Sequence, residues 1–171
     1  MPRPSPSVLV PASDVDASPV LKATREPLLD LFERLIRVAN SDVARRELMN
    51  TVGFPGADVP TFLAVNQLAL HGALRPTDLA ERLETGRPNL TKIVQRLESL
   101  GLAARVADPS DERGVLVALT DEGRRIAKRV IRTEREWVTA TLVGWEDEEV
   151  STFTQLLAKF VDRLDSASRE R

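Results

Sequence analysis

The 171-residue chain is 42% hydrophobic, enough to bury a sizeable core in one domain with extensions, which excludes disorder throughout. Its 24 basic and 26 acidic residues leave a formal charge of -2, so any basic surface for a nucleic acid must be local. The absence of cysteine excludes a disulfide framework, cysteine-ligated metal and a thiol switch.

Residues 1–24 hold five of the eleven prolines, with serines between them, and read as a flexible tail. A DNA-contacting arm is the alternative, but Arg3 and Lys22 are offset by Asp14 and Asp16. Val8-Leu9-Val10 is halted by Pro11, too short for a secretory signal, and no run of about 18 apolar residues is present for a membrane span. A soluble, cytoplasmic protein without membrane contact is expected.

From Pro27, Leu28, Leu31, Phe32, Leu35, Ile36 and Ala39 recur at helical spacing between charged residues, which predicts one amphipathic helix to about Met49. A helix from about Val59 to Leu70 follows, closed by His71-Gly72. Pro76 to Leu83 forms a short helix with Leu79, Ala80 and Leu83 on one face. After Glu84-Thr85-Gly86, a second helix runs from Arg87 to Leu100, with Leu90, Ile93, Val94 and Leu97 spaced for burial. Two helices joined by a short glycine-containing turn make a helix-turn-helix.

Leu102 to Ala107 and Val115 to Leu119 are short apolar runs separated by Asp108-Pro109-Ser110-Asp111-Glu112-Arg113-Gly114. They predict a hairpin, a wing set directly after the second helix. Thr120 caps a helix reaching about Val143, with Asp121 and Glu122 in its first turn. A last helix, about Glu146 to Leu164, spaces Val150, Phe153, Leu156, Leu157, Phe160, Val161 and Leu164 for burial.

The fold class expected is mainly α with a small β-hairpin wing: a winged helix-turn-helix domain plus N- and C-terminal dimerisation helices. The organisation is a tail at 1–24, dimerisation and support helices at 25–72, a DNA-binding region at 73–120 and dimerisation helices at 121–168.

Burial of the apolar face of the second helix leaves Arg87, Asn89, Thr91, Lys92, Gln95 and Arg96 outward. Such side chains read base edges in the major groove: arginine pairs with guanine, asparagine or glutamine with adenine. Arg96 suits a phosphate better. Residues 87–107 hold four bases against one acid, a local +3 inside a near-neutral chain. At the hairpin tip, Arg113 is placed to enter an adjacent minor groove, and Asp111 to orient an arginine through an ion pair.

The stretches Leu79-Ala80, Asn89 to Val94, Leu97 to Leu102, Asp108 to Gly114 and Val117 to Gly123 together resemble the MarR family of regulators. The wing pattern Asp-x-Arg, then an apolar strand and Leu-Thr-x-x-Gly, is the most specific piece. The resemblance implies a homodimer, interlocked through the N-terminal and last two helices, on a pseudo-palindromic double-stranded DNA operator. It also implies, in many members, release by a small-molecule effector. The family's wing aspartate and arginine map to Asp111 and Arg113, and its recognition contacts to Arg87 through Arg96. Glu112 stands where a second arginine is common, and the absence of cysteine and tyrosine removes peroxide-sensing thiols and phenol-binding hydroxyls.

A dimer follows from the residues as well. The apolar stripes of the first and last helices, with Trp137, Val138, Leu142, Val143 and Trp145, exceed what a small winged domain buries alone. Both tryptophans suit core or interface packing and also the lining of a ligand pocket. His71 is the sole histidine, with no cysteine available as nucleophile and no Gly-rich phosphate loop, so no enzyme, metal or cofactor is expected. The acids Glu146 to Glu149 open a helix, where they suit its dipole. The resulting expectation is a DNA-binding transcription regulator acting as a repressor; the alternative is a winged helix used for protein contacts alone.

Overall fold

The computed structural model describes residues 27–169, and the tail expected at 1–24 lies outside them. Contacts divide the chain at Ser41 and Asp42. In the first unit, α1 (Pro27–Ala39) is a strongly amphipathic helix with no buried residue. The second unit contains α2 (Asp42–Thr51), α3 (Val59–His71), α4 (Pro76–Arg82), α5 (Arg87–Ser99), β1 (Ala103–Asp108), β2 (Asp111–Leu119), α6 (Asp121–Thr141) and α7 (Asp147–Arg169).

The single helix expected from Pro27 to Met49 is therefore two. The apolar spacing continues across the break, but Asn40, Ser41 and Asp42 have side chains that compete with the helix for backbone groups. The backbone there turns tightly, with the Ser41 N–H bonded to the Val38 carbonyl at 3.2 Å.

Helix α3 is the central pillar, burying Thr61, Phe62, Ala64, Val65 and Leu68. Its start is fixed by Asp58, whose carboxylate accepts from the Thr61 N–H at 3.0 Å and hydroxyl at 2.6 Å. Around it pack Met49 and Val52, Leu79 and Ala80 of α4, the Leu90, Ile93, Val94 and Leu97 face of α5, Val117 of β2, and Ile126 and Val130 of α6. Phe54 meets Phe62 edge to face, ring centres 5.3 Å apart. Full burial of such side chains stabilises by about 1.5–3 kcal/mol each.

Helix α6 takes part in this core only in its first half, through Gly123, Ile126, Ala127 and Val130. Beyond it, Ile131, Trp137 and Val138 are exposed, as are Phe153, Leu156, Leu157, Phe160, Val161 and Leu164 of α7. The stripe expected to be buried on the last helix is therefore not buried within one chain. Trp145 packs edge to face on Phe153, centres 5.5 Å apart, while both stay partly open to solvent. The tryptophans thus do not belong to the core of the single chain.

Candidate nucleic-acid interface

Between α4 and α5 the chain reverses over Leu83 to Gly86. The residue with positive φ is Glu84 (φ 48°), whereas Gly86 is the extended N-cap of α5. The Thr85 N–H closes α4 on the Ala80 carbonyl at 2.9 Å. This reversal lays α4 against α5 and leaves the polar face of α5 outward.

All six expected recognition residues, Arg87, Asn89, Thr91, Lys92, Gln95 and Arg96, are exposed on that face. They are not equally available. Asn89 donates to the Thr85 hydroxyl at 2.8 Å, and the Thr91 hydroxyl donates to the Arg87 carbonyl at 3.0 Å. Arg96 lies 3.3 Å from the Asp58 carboxylate, an acid distant in sequence that no local charge count includes. Arg105 gives both oxygens of Glu98 a bond, at 2.9 and 3.1 Å. Among the described residues, the Arg87, Lys92 and Gln95 side chains carry no hydrogen-bond or ion-pair partner. The basic strip therefore narrows to Arg87 and Lys92 near the start of α5, with Arg96 pinned by an acid.

The wing is an antiparallel pair in the register Ala103↔Leu119 to Ala107↔Val115, then Asp108↔Asp111. Glu112, Arg113 and Gly114 thus intervene on β2 where nothing intervenes on β1. A bulge of this kind bends and re-aims a strand. The connector expected from Asp108 to Gly114 shrinks to Pro109-Ser110, because Asp111 pairs back onto Asp108. Arg113 lies in the bulge and not at the turn; the side chains of Glu112 and Arg113 lie outside the described ones. Gly114 suits the bulge, since a Cβ there would sit 2.7 Å from the Asp108 Cβ. The hairpin base is held by Leu74, which exchanges two backbone hydrogen bonds with Val117 at 3.0 and 2.8 Å.

Sequence reasoning missed the centre of the wing, Asp108. It is buried, accepting from the Ser110 N–H at 2.9 Å and hydroxyl at 2.6 Å, and from Arg75 Nε at 3.1 Å and Nη2 at 2.9 Å. Arg75 also lies 4.0 Å from Asp111, so an arginine from the start of α4 stands beside that acid. The one available signal was an arginine at a helix N-cap, where hydroxyl, amide or carboxylate side chains are preferred.

The two Ser110 donors, followed by Arg75, lower the Asp108 carboxyl from its ordinary 3.8 to about 2. A carboxylate with a depressed folded-state pKa adds stability above its unfolded pKa and loses it as the pH falls through the folded value. The stability advantage over Asp108→Asn is therefore expected to be complete above about pH 4 and to vanish towards pH 2. Urea midpoints of both proteins across that range check this; an advantage independent of pH would contradict it.

His71, at the end of α3, accepts through Nε2 from Arg82 Nη1 at 2.9 Å, since a guanidinium has no acceptor. Among the described residues no helix is long and apolar enough to cross a membrane, and no group of three or more metal-ligating side chains occurs.

Residues 53–114, covering α3 through the wing bulge, match the family model described as MarR family. An HTH-type transcriptional regulator of Mycobacterium bovis is 31% identical over 102 residues, 58% of this chain and 71% of that protein. The HTH-type transcriptional repressor MdtR of Bacillus subtilis is 24% identical over 124 residues, 72% of this chain and 80% of its own. A solved MarR family protein from Bacillus stearothermophilus superposes with a TM-score of 0.69 at 26% identity, covering 82% of this chain and 98% of that one. With an exposed polar helix, a reversal and a bulged hairpin in this order, the chain belongs to the MarR family of winged helix-turn-helix transcriptional regulators.

Proposed function

We propose that the chain is a cytoplasmic repressor, without catalytic activity, that reads a pseudo-palindromic operator as a homodimer. The observation that carries this reading is the face of α5: four apolar residues are buried while six polar ones, Arg87, Asn89, Thr91, Lys92, Gln95 and Arg96, are exposed together. Inserted into a major groove, its N-terminal part brings Arg87, Asn89, Thr91 and Lys92 to base edges, with Gln95 extending the reading. Arg96 is the phosphate contact once the duplex draws it from Asp58. Asp111 and Arg113 serve the wing, with Arg113 at the minor groove.

In this reading residues 73–120 bind DNA, while 25–72 and 121–168 support the site and form the dimer. The uncovered apolar faces of α1 and α7 support two copies, whose recognition helices stand about 34–36 Å apart. MdtR's description as a repressor supports the sign of regulation. A small-molecule effector that releases the DNA is part of the proposal.

The test is titration of a duplex covering the promoter beside its own gene. Binding is expected to weaken about 10³-fold or more between about 50 and 200 mM salt as phosphate-bound counterions cease to be released. Arg113→Ala is expected to cost about 1–3 kcal/mol of DNA affinity and to leave the dimer intact. Undetectable or salt-independent binding would favour a winged helix devoted to protein contacts.

A further inference from the structure

We propose that Arg75 is a positioning residue for DNA reading: by holding Asp108 it locks the wing to the start of α4, so that wing and recognition helix meet the duplex as one unit. This rests on the DNA-binding reading above.

Arg75 is the N-cap of α4, yet its side chain makes no capping bond. It reaches instead across 33 positions of sequence to a single oxygen of Asp108, with two donors. The other Asp108 oxygen takes the two Ser110 bonds, so the carboxylate, 5% exposed, joins α4 to the turn of the wing. Asp108 is also the residue on which the bulge is seated, paired with Asp111 and closely approached by Gly114.

The hairpin thus has two attachments to the helix-turn-helix. Its base is held through backbone bonds between Leu74 and Val117, and the next residue, Arg75, holds its far end. Without the second attachment the hairpin is free to pivot about the first, and the bulge that carries residue 113 loses its seat on Asp108. Fixing a binding element in advance removes an ordering cost from association.

Charge alone makes the opposite forecast for the partner residue. Asp108 is an acid on a face that approaches phosphates, so Asp108→Asn would strengthen binding if charge were its only role. As a link, it weakens binding when neutralised.

The experiment titrates the same promoter duplex with the full chain, Arg75→Ala, Arg75→Lys, Asp108→Asn, Arg113→Ala and the Arg75→Ala/Arg113→Ala double variant. Arg75→Ala and Asp108→Asn are each expected to weaken binding about tenfold. Lysine restores only part, because one ammonium does not reproduce a two-donor fork. The Arg113→Ala penalty is expected to shrink to about threefold or less in the Arg75→Ala background, the non-additivity of coupled residues. Should Arg75→Ala fail to fold, Arg75→Lys and Asp108→Asn decide the matter.

Asp108→Asn binding as tightly as the unaltered chain or tighter overturns the proposal, as does an undiminished Arg113→Ala penalty in the Arg75→Ala background. An unaltered chain that fails to bind at low salt overturns the DNA-binding reading and this inference together. Binding by the unaltered chain with Arg75→Ala its equal overturns the inference alone.

Discussion

Replacing Gly123 with alanine is expected to lower the stability of the winged domain by about 3 kcal/mol or more, the upper range of steric overpacking. Alanine inside a helix ordinarily gains about 1 kcal/mol over glycine, so the sign itself is diagnostic. A Cβ at Gly123 would lie 2.0 Å from the carbonyl oxygen of Leu102, a backbone atom that no rotamer change removes. The same junction carries the Thr120 N–H bond to Leu102 at 3.0 Å. It also has the Thr120 hydroxyl donating to the Gly101 carbonyl at 2.6 Å while accepting from the Gly123 N–H at 3.1 Å. Moving α6 outward to admit a methyl breaks these bonds and separates Ile126 and Val130 from α3.

Gly101→Ala provides the contrast. That residue has φ +68° but nothing within 4 Å of a Cβ, so alanine incurs only the left-handed penalty of about 1–2 kcal/mol. Urea denaturation of the two variants should therefore rank Gly123→Ala well below Gly101→Ala. Equal midpoints would show that the Leu102 approach is not limiting.

That junction also shows what was legible in the sequence. Thr120 announces a cap, and the apolar spacing of α5 announces both its buried face and its polar one, because local chemistry and helical periodicity record these directly. The pairing of Gly123 with Leu102 has no such record, being set by where two elements meet. The same holds for Leu74 with Val117, Arg75 with Asp108 and Arg96 with Asp58. Each joins residues far apart in sequence, and each changes the reading of the site by anchoring the wing, tying it to α4 or removing a free cation from the strip. The break at Asn40-Ser41 was obscured for a different reason, since apolar residues continue in helical step on both sides of it.

The largest loss of DNA binding is expected from Leu157→Glu, a substitution remote from every proposed DNA contact. Leu157 lies in the middle of the α7 stripe, with Phe153, Leu156, Phe160, Val161 and Leu164, all open to solvent in one chain. Leu157 lies outside the buried core of the winged domain, so that domain should unfold at nearly the unaltered urea concentration. Across a two-fold interface, however, every substitution is present twice, and each carboxylate is placed in the middle of an apolar stripe. A cost of a few kcal/mol corresponds to dimer dissociation strengthened about 100-fold or more. Operator affinity falls with it, because two linked half-sites bind far more tightly than either alone. Sedimentation over a concentration series reads the first effect and promoter titration the second. A Leu157→Glu protein that keeps both its dimer mass and its DNA affinity would show that the α7 stripe is not the surface through which two copies meet.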